Sequence, residues 1–420
     1  MKNYRIKNLH FAFLSVGIAC ILLSCNTKEE IKQLEETISN TRMLSEANEL
    51  AQTIPNSSRM GNGSARLAAG SRPVKNSFMV TDEDPILKKK ATDTLMYVCN
   101  YENGFSIIAA DKRLPDVFAI IDKGNLNKTD KIPDGMFVWL SNTSDLIKAF
   151  KKSGLALRGK KSDRMASVEA TSEVLTPLVN TTWNQDCGYN ALIDTDCNQL
   201  SAPLCGKAYA GCVATSMAQL MKYWGDKTGR PNGYNWGAMN LYSPTNETAK
   251  LMKDAGTNAG VIYGCSGSSA YLYHPSKSNA KDALLNHFGF TEGFYKKGTS
   301  YSYYTDYFND VINSLENGRP VILEGYPSAS YNFFGYVSLG EGGHAWICDG
   351  YKSVYNPQVY YNYQTDRWVG STTYFVHMNW GWGSSNDGWF STTSFGSSQT
   401  GNQMPYNFQH SVGGLFNFKI

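Results

Sequence analysis

Residues 206–225 read GKAYAGCVATSMAQLMKYWG, a small-residue turn running into a segment whose apolar side chains Val213, Met217, Leu220, Met221 and Trp224 recur at helical spacing. The pattern predicts a helix with Cys212 in its first turn. Unpaired backbone N–H groups and the positive end of the macrodipole at that place stabilise an anion, so the thiol should ionise more readily than a free cysteine. A thiolate is the nucleophile of cysteine hydrolases. An ordinary buried cysteine would fit the same twenty residues, so the remainder of the chain has to supply the partners.

A nucleophilic thiol needs a base, and the base needs a group that fixes its ring. His344 stands in Gly342-Gly343-His344-Ala345-Trp346-Ile347, entering a predicted strand from a glycine pair that leaves one side of the imidazole uncovered. His377 lies among large residues and reads as a packed core histidine. Asn379, in His377-Met378-Asn379-Trp380-Gly381-Trp382-Gly383, ends a strand that can neighbour the His344 strand, and is the candidate to orient the imidazole. Trp380 would cover that hydrogen bond and exclude water from it. The oxyanion of acyl chemistry calls for two donors: the Cys212 backbone N–H, and the side-chain amide of Gln185 in Thr182-Trp183-Asn184-Gln185-Asp186.

Working outward, 420 residues allow two or three domains, and 42% hydrophobic with 18% charged residues marks a globular chain. A net charge of +3 argues for neither nucleic acid nor an anionic membrane as partner. The amino terminus carries an address. Lys2, Arg5 and Lys7 precede an apolar run of about 13 residues, too short to span a bilayer and suited to a signal-peptide core. It ends in Leu22-Leu23-Ser24-Cys25, which resembles the lipobox of bacterial lipoproteins and implies a lipidated Cys25. Lys28-Glu29-Glu30 resembles a surface-export signal.

Nine cysteines divide accordingly: Cys20 leaves with the signal, Cys25 anchors, and an odd number remains. Structural pairs plus one reactive thiol suit an oxidising compartment. Cys187, Cys197 and Cys205 crowd one stretch, where a disulfide is expected without its connectivity being legible. No motif indicates a metal or a nucleotide or flavin cofactor.

Residues 57–71 are rich in Gly, Ser and Arg and read as a tether. From 75 to 154 the pattern is a small α+β unit: strands at 78–81, 94–100, 104–110 and 117–121, then a helix at 137–152. Residues 155–172 are charged and small, an interdomain linker open to cleavage at Lys160, Lys161 or Arg164. Beyond it, helices at 278–288 and 303–317 precede strands at 320–324, 344–350, 359–363, 374–379, 389–390 and 414–420. Helices first and strands later predict a two-lobed α+β domain with a cleft between its lobes.

Asn184-Gln185, Gly211-Cys212-Val213-Ala214-Thr215, Gly342-Gly343-His344-Ala345 and Asn379-Trp380-Gly381-Trp382-Gly383, in that order, closely resemble the streptopain-type cysteine peptidases of the papain-like clan. The resemblance covers the chain from about residue 175 onward, and the upstream unit looks like that family's inhibitory propeptide. Taken with the lipobox, it gives residues 1–25 as lipoprotein signal, 26–165 as tether and propeptide, and 166–420 as a papain-like peptidase domain. It also implies Cys212 as nucleophile, His344 as general acid/base, Gln185 in the oxyanion hole, Asn379 orienting the imidazole and Trp380 shielding it. The expected protein is a secreted or surface-anchored zymogen of an endopeptidase. Its partners are protein substrates and its own propeptide, with the membrane reached only through Cys25. Two other readings fit the same sequence: a peptidoglycan-peptide hydrolase with this Cys-His chemistry, and a non-catalytic surface-binding lipoprotein displaying its 26 tyrosines and 9 tryptophans.

Overall fold

In a computed structural model the chain is described over residues 40–54, 72–81, 93–112, 114–152, 171–198, 205–297, 304–326, 332–333, 336–337, 343–362, 367–392 and 412–420. The leader with Cys20 and Cys25, the tether and the linker residues 155–170 lie outside these.

The upstream unit begins with α1 (Leu44–Gln52) and strands β1 (Asn76–Thr81), β2 (Thr94–Asn100), β3 (Phe105–Ala109) and β4 (Val117–Ile121), all antiparallel neighbours. Helix α2 (Asp134–Lys152) follows. Asp134 in its first turn and Lys151 and Lys152 in its last oppose the helix dipole, and Phe137, Leu140, Ile147 and Phe150 supply its buried face. The helix begins three residues before the sequence pattern suggests, because Asp134 and Gly135 follow Pro133 and carry no apolar signal.

The second unit opens with β5 (Thr171–Leu175), then α3 (Cys212–Thr228), a 3-10 turn at Trp236–Ala238, α4 (Asn246–Ala259), α5 (Ala280–Asn286), β6 (Glu292–Lys297) and α6 (Tyr304–Glu316). Strands β7 (Val321–Gly325), the short hairpin β8 (Asn332–Phe333) and β9 (Tyr336–Val337), β10 (His344–Asn362), β11 (Arg367–Asn379), β12 (Gly388–Ser391) and β13 (Val412–Lys419) complete it. Sequence reading misses α4, whose buried stripe is built largely of small residues (Ala249, Ala255 and Ala259 around Leu251 and Met252), although Thr245 caps it by accepting the Thr248 N–H. It misses β6 as well. The separate strands expected at 344–350 and 359–363 are one continuous strand, β10.

One sheet runs through both units in the order β1-β2-β3-β4-β12-β11-β10-β7-β13-β6. The join is β4 against β12, with Ile120 opposite Trp389 and Ala119 opposite Phe390. A shared core lies behind it: Phe118, Phe137 and Trp139 of the upstream unit pack with Trp346, Trp380 and Phe390 of the downstream one. The Trp139 and Phe390 rings meet edge to face at 5.0 Å, an arrangement worth about 0.5–1.5 kcal/mol beyond the area it buries. Helices α3, α4 and α5 form the opposite lobe around a second core that includes Met217, Leu251 and Leu284.

Strand β10 takes β7 along His344–Cys348 and β5 along Tyr351–Tyr355, so Thr171 pairs Tyr355 and Leu175 pairs Tyr351. The linker assignment therefore extends too far at its end: Thr171 and Ser172 are strand. The run Thr171–Leu175 finds its backbone partners on β10, which a charged linker would lack.

Candidate active site

The turn that presents Cys212 depends on Gly211, whose φ of +94° is costly for any other residue. A Cβ there would also stand 3.2 Å from Ser268, whose hydroxyl donates to the Tyr209 carbonyl at 2.6 Å. The glycine thus lets loop 264–268 seat against the turn. Ala210 N–H donates to the Gln185 carbonyl at 2.8 Å, which brings Gln185 beside the first turn of α3 and onto the wall of the same cavity as Cys212.

His344 enters β10 opposite Gly325 of β7 and lies against Cys212. Burial works against both charged forms. For Cys212 the neighbouring imidazolium, its hydrogen bond and the Ala345 N–H outweigh burial, and the thiol falls below the ordinary cysteine range. For His344 the thiolate, its hydrogen bond, Asp134 and the Trp380 carbonyl likewise prevail and raise the imidazole to about 9. The two groups hold each other as a thiolate–imidazolium pair. The other unpaired thiols behave oppositely: burial pushes Cys99 up to about 12 and Cys348 well above the normal range. Those two sit in the core as thiols, whereas Cys212 is drawn toward the thiolate by His344.

The imidazole is fixed differently from the sequence expectation. His344 Nε2 meets the carbonyl oxygen of Trp380 at 3.4 Å. The Asn379 side chain instead donates to the Thr181 carbonyl at 2.7 Å and to Gln219 Oε1 at 3.1 Å, and its Oδ1 accepts the Gly381 N–H at 3.1 Å. Gly381 N–H and Trp380 C=O belong to one peptide unit. Asn379 therefore grips the donor side of the plane whose acceptor side faces His344. Trp380 is 1% exposed, its N–H donates to Asp387 and its indole N–H to the Asn386 carbonyl, and its ring packs on Trp346 and Phe390. It walls the imidazole from water.

His377 is the core residue expected, with Nδ1 at 2.6 Å from the buried Asp349 and its ring edge-on to Trp389. The crowded cysteines resolve into Cys187–Cys205 and Cys197–Cys265. The second bond ties this stretch to loop 264–271, a partner that local crowding gives no hint of. Among the described residues no group of three or more His, Cys, Asp or Glu side chains is arranged for a metal ion. No described helix is long and apolar enough to cross a membrane.

The dyad opens into a cavity of about 790 Å³. Gln185, Cys212, residues 266–271, Glu324, Tyr326, Gly343 and His344 line it. The amino-terminal end of α2 lies across it: Asp134 and Phe137 line the cavity, and Asp134 Oδ2 stands 3.8 Å from His344 Nδ1. Sequence reading gives no hint of Asp134, because its partner is 210 positions away. A Pro-Asp-Gly helix start is the only local mark it leaves.

An ion-paired thiol and imidazole in a cleft, with a helix of a separate upstream unit laid over them, define a cysteine endopeptidase in zymogen form. Residues 183–390 match the Peptidase C10 family and residues 37–147 match the Spi protease inhibitor. The chain belongs to the streptopain-like C10 peptidases and carries an inhibitor propeptide ahead of its peptidase domain. It is 24% identical over 371 residues to streptopain of Streptococcus pyogenes, covering 78% of this chain and 80% of the relative. It is 24% identical over 347 residues to the thiol protease/hemagglutinin PrtT of Porphyromonas gingivalis, spanning 71% of this chain and 34% of that protein. The fold is similar to that of Prevotella intermedia prointerpain A, with a TM-score of 0.52 and 20% identity over 81% of this chain and 98% of the other. The papain-like architecture and the propeptide are thus those the four motifs imply.

Proposed function

We propose that Cys212 and His344 carry out peptide-bond hydrolysis in two acyl steps, in a zymogen anchored to the bacterial surface through a lipidated Cys25. The observation that supports the chemistry best is the thiolate–imidazolium pair at the head of the cleft. The thiolate attacks the carbonyl carbon of the scissile bond, forming a C–S bond, while the Cys212 N–H and the Gln185 amide hold the oxyanion. His344 passes its proton to the leaving amine as the C–N bond breaks. It then takes a proton from the water that attacks the thioester and keeps it as the C–S bond breaks, so the sulfur leaves as thiolate and the ion pair is restored.

Asn379 holds the Trp380–Gly381 peptide so that its carbonyl keeps the imidazole in line, and Trp380 keeps that contact dry. Asp134 and α2 occupy the cleft until the propeptide is cut within the linker. Residues 26–165 serve as tether and inhibitor and 166–420 as the peptidase domain, with the cut falling before β5.

The soluble form starting at Asn26, followed by intact mass under reducing conditions beside Cys212→Ala, tests this. Wild type is expected to gain one epoxide-type inhibitor after processing and to hydrolyse casein, and the folded variant to do neither. Turnover by Cys212→Ala near the wild-type rate would remove the assignment. Palmitate labelling of the full-length chain in a Gram-negative host, lost in Cys25→Ser, tests the anchor.

A further inference from the structure

The catalytic cavity contains a carboxyl group that the two acyl steps do not use. Glu324 lies on β7 with Ala345 as its cross-strand partner, one position from the His344 and Gly325 pair, and its side chain lines the same cavity as the dyad. Its Oε1 accepts the Tyr295 hydroxyl at 2.8 Å, and the Leu272 N–H donates to the carboxyl as well. The chain leaves room for this pair: at Gly413 of β13 a Cβ would stand 2.6 Å from both Glu324 Oε1 and the Tyr295 oxygen. Two aromatic rings flank the space. Tyr326, 45% exposed, lies over Gly343, where a Cβ would meet its ring at 2.5 Å, and Tyr271, 42% exposed and next to Leu272 in the chain, lines the same cavity.

Burial holds this carboxyl above the usual range, and the nearest cation acting on it is Lys297, on β6. Among the described residues Glu324 makes no ion pair. A desolvated carboxylate held by two neutral donors at the edge of a cleft is stabilised by a cation entering that cleft. A planar guanidinium fits the acceptor pair and can lie against the faces of Tyr271 and Tyr326.

The side of the substrate follows from the chemistry. The leaving amine must reach His344, which is backed by Trp380. The acyl portion is then assigned to the part of the cavity lined by residues 266–271, Tyr326 and Glu324. Resting on the catalytic assignment of Cys212 and His344, we propose that Glu324 is the specificity residue of the cleft and selects an arginine or lysine side chain in the acyl part of the substrate, within three residues of the scissile bond.

The test uses the full chain after activation by limited proteolysis, with active enzyme counted by an epoxide inhibitor. Internally quenched peptides carry arginine or leucine at the first, second or third residue before the scissile bond. Wild type is expected to favour arginine over leucine by about tenfold in kcat/KM at one of these positions. Glu324→Gln keeps the shape and the Tyr295 bond. It should abolish that preference, so that the ratio of kcat/KM for the arginine peptide to that for the leucine peptide falls about tenfold, to near one.

Leucine preferred at all three positions by wild type overturns the proposal whatever the variant does. So does an arginine preference that survives in Glu324→Gln. If the activated chain cleaves none of the peptides, the peptidase reading fails and takes the proposal with it, a result distinct from losing the arginine preference alone.

Discussion

Gly135, the second residue of α2, lies so close to Trp380 that a Cβ would stand 2.5 Å from its ring and 3.1 Å from the His344 imidazole. The propeptide thus seats its helix end directly on His344 and on the tryptophan that backs it. Alanine would improve the helix by about 1 kcal/mol, but overpacking against a ring held on its other sides by Trp346 and Phe390 costs about 1–3 kcal/mol. We expect Gly135→Ala to loosen the plug. Full-length protein should then react with an epoxide inhibitor about tenfold faster than wild type at early times, whereas reaction with a small alkylating agent stays unchanged. Equal epoxide rates would mean that α2 does not gate the cleft.

The charge next to that glycine sets a pH signature. Asp134 raises the imidazole and also raises the thiol. The reactive pair exists between the lowered pKa of Cys212 and the raised value of about 9 for His344. Removing the charge with Asp134→Asn lowers both limits, so the window of rapid alkylation moves to lower pH as a whole. Since Asp134 is 41% exposed, solvent screens it and the move should be modest. Alkylation rate against pH on full-length protein reads this directly, and a window that widens at both ends contradicts it. The two limbs belong to the coupled pair and not to either residue alone.

Asn379 shows how much of the site was legible in the sequence and where legibility stopped. Cys212 and His344 each stand at a local feature, a small-residue turn before an amphipathic helix and a glycine pair before a strand, whereas Gln185 sits in a polar loop that carries no signal of its own. The four strands of the inhibitor unit, β1 to β4, follow from alternation and turn residues in the same way. The hydrogen bonds of Asn379 follow from nothing local. They depend on Thr181 and Gln219, 198 and 160 positions away, which approach only when α3 packs on the end of β11. The same holds for the β4 and β12 join and for Asp134: contacts across the two units leave no periodicity in either.

The grip of Asn379 on the Trp380–Gly381 peptide can be separated from its role as a packing hub. Asn379→Ala and Gln219→Ala each leave buried polar groups without partners and should each destabilise the fold by about 1–3 kcal/mol. Only Asn379→Ala releases the Gly381 N–H. Since the Trp380 carbonyl stabilises the imidazolium, its loss lowers the His344 pKa, and the alkaline limb of thiol alkylation shifts to lower pH in that variant alone. Identical profiles for the two variants would assign Asn379 a purely structural part.

The clasp between Cys197 and Cys265 leads to a redox prediction. Cys265 directly precedes Ser266 of the cleft wall, and the loop is further tied by Gly264 N–H to Ser268 Oγ and by the Ile262 and Ser269 bridge. The bond closes a sequence separation of 68, for which chain-entropy reasoning gives a stabilisation of about 4 kcal/mol. Most of the fold has its own cores, so the loss should be felt locally, as a wall that no longer holds the substrate in place. In Cys197→Ser/Cys265→Ser we expect KM to rise about fivefold to tenfold with a smaller fall in kcat. Wild-type activity should climb with added reductant as Cys212 is freed and then decline as the clasp opens. The double variant should start at the lower activity and show no decline. A falling limb that persists in the double variant would place the redox-sensitive element elsewhere, with Cys187–Cys205 as the remaining pair to test.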